Sequence, residues 1–295
     1  MRGAHPERDL ERAIEESGVF RRGERVLVAC SGGPDSVALV AALHAIARSM
    51  EFAIRAAFVN HGLRASAWQD ECVALQIAAH FAIPLDVIGV AVDAAGEQRL
   101  RTARYGALID AAKRSECDVV ATAHHAEDQT ETVFLALLRG TGPAGLRGMR
   151  GRRRLAPGLD LARPFLGIPS ETLREYCHAR ALPYAVDPSN SDTTLRRNAL
   201  REALSALRPL FPGLDAAVAR AAEVVVEERD ATRRAALRRA VRERLSSDGE
   251  LRDIDFLHVE EVVRALERGG TGTFHMKPGL ALRIEGGAVA GITRE

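Results

Sequence analysis

The chain has 295 residues, 46% hydrophobic and 4% aromatic, with 41 Lys and Arg against 40 Asp and Glu. That composition excludes a disordered or fibrous chain and suffices for one large or two ordinary domains. No apolar run reaches the ~18 residues of a membrane span, residues 1–9 hold no apolar stretch of secretory type, and the four cysteines form no C-x-x-C, which leaves a cytoplasmic protein without a disulfide framework or zinc ribbon as the expectation.

The first clear element is R-V-L-V-A-C at 25–30, an apolar run bounded by turn residues. Apolar residues at helical spacing follow from Asp35 to Ala47, so a strand feeds a helix. The alternation continues with strands over 53–60, 86–92 and 118–123 and helices over 66–81, 100–115 and 127–138. Apolar strands alternating with helices predict an α/β fold, a doubly wound, Rossmann-like parallel sheet with both faces covered. From Gly140 the sequence turns Gly- and Arg-rich, which reads as a linker or substrate-facing loop over 140–158. Helices are predicted over 169–181 and 194–207, a long or divided helix over 214–245, and a small β meander over 272–292. This pattern places a catalytic domain at 1–208 and a helical domain with a small β element at 209–295.

Charge is uneven along this order. Residues 1–139 carry 15 basic and 19 acidic side chains, 140–210 carry 12 and 6, and 211–295 carry 14 and 15. Overall neutrality is therefore an average over a basic middle, and a polyanionic partner stays open.

Between the first strand and its helix lies Ser31-Gly32-Gly33-Pro34-Asp35-Ser36. The glycines let the backbone approach an anion closely, and the helix start supplies free N–H groups and the positive end of its dipole. Pro34 suits the first helical position. The lysine of a Walker P-loop is missing, so the loop suits a pyrophosphate that departs rather than cleavage between β- and γ-phosphates. Gly140-Thr-Gly142-Pro-Ala-Gly145 matches G-x-G-x-x-G, but it follows a helix and fails the context of a dinucleotide site.

After the fourth strand, His124, Asp128 and Glu131 are spaced i, i+4 and i+7 and share one helical face. A reversal of strand order between strands one and four would bring this face against the phosphate loop. Three roles are open to it: holding a divalent metal, binding an amine and taking its proton, or complementing a helix dipole, the last being the simplest for Glu127.

The hexad S-G-G-P-D-S resembles the loop of the PP-loop ATP pyrophosphatases, of adenine nucleotide alpha hydrolase type. Further stretches resemble the tRNA(Ile)-lysidine synthetases: N-H-G-L-R at 60–64, R-Y at 104–105, A-H-H-A-E-D-Q-T-E-T at 123–132, L-L-R-G-T-G-P-A-G-L-R-G-M at 137–149, R-P at 163–164, D-P-S-N at 187–190 and R-R-N-A-L-R at 196–201. The resemblance spans about 20–226, and longer members carry a C-terminal module beyond what 230–295 can hold. It implies a ligase that adenylates C2–O of the wobble cytidine in the CAU anticodon of tRNA(Ile), then admits free L-lysine and releases AMP.

Carried over by position, Ser31 to Ser36 and His61 would bind ATP, with Asp35 near Mg²⁺. His124 would lie at the adenylation centre, Asp128 and Glu131 would hold lysine, and Arg197 would contact the activated intermediate or tRNA. Arg64 would border the nucleotide pocket, and Arg147, Asn198 and Arg201 would face the tRNA. The arginine clusters 147–154 and 196–208 are expected to contact RNA phosphates. Rival readings are a tRNA thiolation enzyme, which would want paired cysteines, and a small-molecule ligase, which has no use for the basic middle. The sequence leaves the oligomeric state open, a homodimer included.

Overall fold

The computed structural model describes residues 6–60, 62, 67–90, 97–140, 146–185, 196–247 and 256–294. The chain divides into two units, Met1–Ala222 and Glu223–Glu295. In chain order the first holds α1 (Pro6–Glu16), β1 (Arg25–Ala29), α2 (Pro34–Met50), β2 (Ala53–Asn60), α3 (Ala67–His80), β3 (Leu85–Gly89), α4 (Glu97–Arg114), β4 (Val119–Ala121) and α5 (Ala126–Leu138). It continues with β5 (Arg152–Ala156), β6 (Leu159–Ala162), α6 (Ser170–Ala179), α7 (Arg196–Leu207) and the first turns of α8 (Leu214–Ser247).

Period-two alternation sorts the strand side chains into two cores. Val26 and Val28 of β1 pack with Leu10 and Ile14 of α1, Val37 and Val40 of α2, Ile77 of α3 and Leu173 and Tyr176 of α6. Leu27, between them, packs on the other face with Tyr105, Leu108 and Ala112 of α4 and with Val120 and Leu161. Both faces are covered, which is why the central strands β1 and β4 carry near-continuous apolar runs.

The sheet order is β3-β2-β1-β4-β6-β5. All pairings are parallel except that of β5 with β6. Successive strands run outward from β1 to β3, and β4 then returns to the other side of β1, pairing Val26 with Val119 and Val28 with Ala121. The loops after β1 and β4 thus leave the same edge of the sheet as neighbours, the usual crevice for a ligand in such folds.

The β5–β6 hairpin corrects the reading of 140–158 as a linker. Arg152, on β5, donates from Nη2 to Glu24 Oε1 and to Asp160 Oδ2, both at 2.7 Å, and from Nε to Asp160 Oδ2 at 2.9 Å. Glu24 and Asp160 are 7% and 8% exposed, so one guanidinium neutralises two buried carboxylates and pins the edge strand. Arg152 is therefore engaged within the fold rather than free for RNA phosphates, while Arg154 pairs with Asp160 at 3.1 Å from an exposed position.

In the second unit, the end of α8 and α9 (Phe256–Glu267) pack Val241, Leu245, Val259, Val262 and Leu266 against Met276, Leu282 and Ile284 of an antiparallel meander, β7 (Gly272–Lys277), β8 (Leu280–Glu285) and β9 (Ala288–Arg294). Buried Glu260 accepts from Arg234 at 3.1 Å and from Arg238.

Arg152→Ala leaves buried Glu24 without its cation and Asp160 with only the exposed Arg154, and urea unfolding should show a loss of about 3–5 kcal/mol. A loss below about 1 kcal/mol, the value of an exposed pair, would contradict this account of the edge strand.

Candidate active site

The loop after β1 is set by backbone geometry. Gly32 has φ of +82°, and a Cβ there would lie 2.5 Å from the carbonyl oxygen of Asp70, so only glycine fits. Gly33 is the N-cap of α2 and receives no side-chain cap bond. Pro34 has no N–H, and the first helical bond is Val37 N–H to Gly33 O at 3.0 Å. The amides of Asp35 and Ser36 thus precede the helical ladder and are open to an anion. Ser36 braces the turn: its hydroxyl donates to Gly33 O at 2.9 Å and accepts from Ser31 N–H at 3.1 Å, and it lies 3.2 Å from the Ser31 hydroxyl. From α6, Cys177 donates to Pro34 O at 3.4 Å. Burial, with the charge of Asp35, pushes its thiol up to about 12, so it remains a donor.

The loop after β4 meets this turn through His125, the N-cap of α5. His125 Nε2 lies 3.6 Å from Asp35 Oδ2 and 3.5 Å from Asp128 Oδ2, while Nδ1 lies 2.8 Å from Glu127 Oε2. Burial opposes the imidazolium, but the Glu127 hydrogen bond and the charges of Asp128 and Asp35 outweigh it and raise the His125 pKa. Burial also opposes the Glu127 charge, yet His125 and Ser170 bring its pKa down to about 2. Ser170 donates its N–H at 3.0 Å and its hydroxyl at 2.8 Å to Glu127, which therefore caps α6 from outside. Glu127, in the first turn of its own helix, also holds the start of a second one.

Burial raises the Asp35 carboxyl, His125 lowers it and Asp128 raises it. Its Oδ1 is buried and, among the described residues, has no hydrogen-bond partner. One free carboxylate oxygen beside a phosphate loop fits Mg²⁺, which takes few protein oxygens and completes its shell with phosphate and water. Among the described residues no cluster of three ligating side chains suits a fully protein-bound metal.

Asp128 and Glu131 face α7. Arg197 Nε donates to Glu131 Oε2 at 2.9 Å, Arg201 Nε to Glu131 Oε1 at 2.7 Å, and Arg197 Nη2 reaches Asp128 Oδ1 at 3.4 Å. Glu131 is 1% exposed and both its oxygens accept short guanidinium bonds, so in this arrangement it offers none to an amine; half-buried Asp128 accepts only longer bonds, from Arg197 at 3.4 Å and from His125 N–H at 3.3 Å, and is the more open of the two. Arg208, expected on RNA, instead pairs with Asp215 at 2.8 Å. Asn198 lies on α7 between the two arginines, and Arg147 is half-buried beside Gly148. Gln129 holds that segment by accepting from Met149 N–H at 2.7 Å and donating to Met149 O at 3.1 Å.

His124 precedes α5 and does not sit on its face. Its Nδ1 bonds Thr122 Oγ1 at 2.9 Å. Burial, and then Arg163, Arg101, Arg104 and Arg197, hold its pKa well below the ordinary histidine value, so the imidazole is neutral. Spacing did not bring Arg101, Arg104 and Arg163 to this site; the R-Y and R-P dipeptides were the only sequence signal for two of them. His61, Arg64 and the D-P-S-N stretch at 187–190 lie outside the described residues.

Residues 4–207 match the family model of the PP-loop domain. The chain is 43% identical over 199 residues to the tRNA(Ile)-lysidine synthase of Chromobacterium violaceum, covering 66% of this chain and 45% of that protein. It is 38% identical over 222 residues to the enzyme of the same name from Geobacter sulfurreducens, covering 72% and 46%. The chain spans about half the length of these curated relatives. Among solved structures, the U34-tRNA thiolase NcsA of Methanococcus maripaludis superposes with a TM-score of 0.64 at 16% identity, over 75% of this chain and 79% of that one, a likeness of fold.

The Glu127 pKa of about 2 lies below the 4.5 of the free side chain. Its contribution, on the order of 3 kcal/mol, is present above pH 4.5 and lost as pH falls toward 2. Urea titrations across that window should show a flatter acid limb for Glu127→Gln than for the wild type; parallel limbs would contradict the capping role.

Proposed function

We propose, on the premise that this chain belongs to the PP-loop domain family, that it is a ligase joining L-lysine to C2 of the wobble cytidine of tRNA(Ile), with ATP converted to AMP and pyrophosphate. The observation that carries the reading is the bridge between the two loops, in which His125 Nε2 stands 3.6 Å from Asp35 of the phosphate loop and 3.5 Å from Asp128. The substrate is taken from the tRNA(Ile)-lysidine synthases that are 38–43% identical to the chain.

A ring carbonyl conjugated with nitrogen is a poor electrophile, so it is activated first. The cytidine O2 attacks the α-phosphorus of ATP, the bond to the bridging oxygen breaks, and pyrophosphate departs. The amides of Asp35 and Ser36 at the helix start hold the phosphates, and Asp35 Oδ1 would hold Mg²⁺, which neutralises phosphate charge. The lysine amine then attacks C2, and the C2–O bond breaks with AMP as the leaving group. The fold's part is chiefly alignment of three reactants.

A free lysine ammonium has a pKa of about 10.4 and must lose a proton to attack. Asp128 pins it and takes that proton; the nearby guanidiniums favour the neutral amine by repulsion. Glu131 keeps Arg197 and Arg201 against α5. Neutral His124, fixed by Thr122, donates or accepts a hydrogen bond at the adenylation centre without adding charge. An anticodon loop suits this chemistry because its bases are already unpaired.

Incubation with ATP, L-lysine and tRNA, followed by nucleoside mass spectrometry, should give a cytidine carrying the mass of lysine less water, with AMP formed only when RNA is present. AMP formation independent of RNA would overturn the reading. Asp128→Asn should raise the KM for lysine at least about tenfold by removing a charge-assisted contact; an unchanged KM would remove Asp128 from the amine site.

A further inference from the structure

Beside His124 lies a group of donors that the proposed chemistry has not used. Arg101 and Arg104, on α4, place their guanidinium carbons 5.2 Å and 5.9 Å from the centre of the Tyr105 ring. Arg163, directly after β6, is 3% exposed and donates Nη1 to Arg150 O at 3.1 Å. Its Nε is buried without a hydrogen-bond partner among the described residues, and so is the Tyr105 hydroxyl. Arg101, Arg104 and Arg163 form no ion pair with a described carboxylate, unlike Arg197, whose charge Asp128 and Glu131 match.

The buried Arg163 Nε and Tyr105 hydroxyl, without acceptors among the described residues, are costly in isolation, and half-buried Arg101 and exposed Arg104 add positive charge beside them. A ligand with acceptor oxygens and negative charge satisfies all of it. Building on the lysidine-forming reading, we propose that Arg101, Arg104, Tyr105 and Arg163 bind one phosphodiester of the RNA strand flanking the modified cytidine. The PP-loop already provides for the phosphates of ATP. The second cluster stands at the ends of β4 and β6, next to His124, where the nucleotide to be adenylated must enter. A backbone contact there sets the register of the strand, while base chemistry is left to the centre. Guanidiniums supply the forked donors that phosphate oxygens prefer.

The shared chemistry, a phosphate oxyanion, could also come from free phosphate or from the nucleotide, and the test separates the sources. An anticodon stem-loop RNA is prepared with a neutral methylphosphonate at each linkage flanking the cytidine in turn, and binding to the full chain is measured. For the wild type, one such replacement should weaken binding about tenfold. Arg101→Gln and Arg104→Gln, on a helix surface where folding is preserved, should weaken binding of the unmodified RNA by a similar factor and make that same replacement silent, with the KM for ATP unchanged. Equal effects of the methylphosphonate in wild type and variants would overturn the site. So would variants that raise the KM for ATP or relieve inhibition by inorganic phosphate, which would assign the cluster to the nucleotide. Failure of the wild type to form AMP in an RNA-dependent way would instead overturn the underlying reading.

Discussion

The parallel pairing of β1 with β4 is the constraint on which the site depends. Because Val28 stands beside Ala121, the backbone leaving β1 as Ser31 to Ser36 and the backbone leaving β4 as His124 and His125 emerge side by side. Neither loop makes the site alone. The first supplies amides fixed by a glycine that tolerates φ of +82° and by a buried serine. The second supplies an imidazole that reaches back across the gap to Asp35 and forward to Asp128. The apolar strands beneath hold both in place, and α6 closes the arrangement by placing Ser170 on Glu127 and Cys177 on the turn.

Charge is separated within this small volume. Asp35, Glu127 and Asp128 surround His125, whereas Arg101, Arg104, Arg163 and Arg197 act on His124 one residue earlier. Two adjacent histidines are thereby driven in opposite directions, one held neutral and the other favoured as a cation, by neighbours rather than by chain position. Such a division suits a reaction that must accept a cationic amine and several phosphates together. Glu131 stands at the boundary, a buried carboxylate stabilised only because two guanidiniums meet it.

Much of this organisation was readable from residues 25–138, where strand and helix periods alternate cleanly and the hexad follows its strand. The reversal between strands one and four, only a condition in the sequence reading, is present in the observed order. The β5–β6 hairpin was not readable, since R-R-R-L-A and L-D-L-A carry charges whose burial depends on Glu24, more than a hundred residues away. Pairing of the arginines was hidden for the same reason: 39 of them look alike in sequence, and only the fold tells Arg197, matched by carboxylates, from Arg163, which is not. Glu131 shared a helical face with Asp128, as its spacing indicated, but what covers that face is α7, distant in the chain. Helices α1 and α9 bury residues at helical spacing, Leu10 and Ile14 in one, Val259, Val262 and Leu266 in the other, but their short, charge-rich sequences give a weak helical signal.

The central claim is that the two loops form one centre in which the cytidine oxygen becomes bonded to the α-phosphorus of ATP. Isotope transfer tests it most directly: tRNA(Ile) carrying ¹⁸O at C2 of the wobble cytidine is converted with ATP and lysine, and the AMP released is examined by mass spectrometry. The account predicts one ¹⁸O atom in AMP for each lysine joined. AMP free of label, with the isotope in water or retained in the RNA, would contradict it.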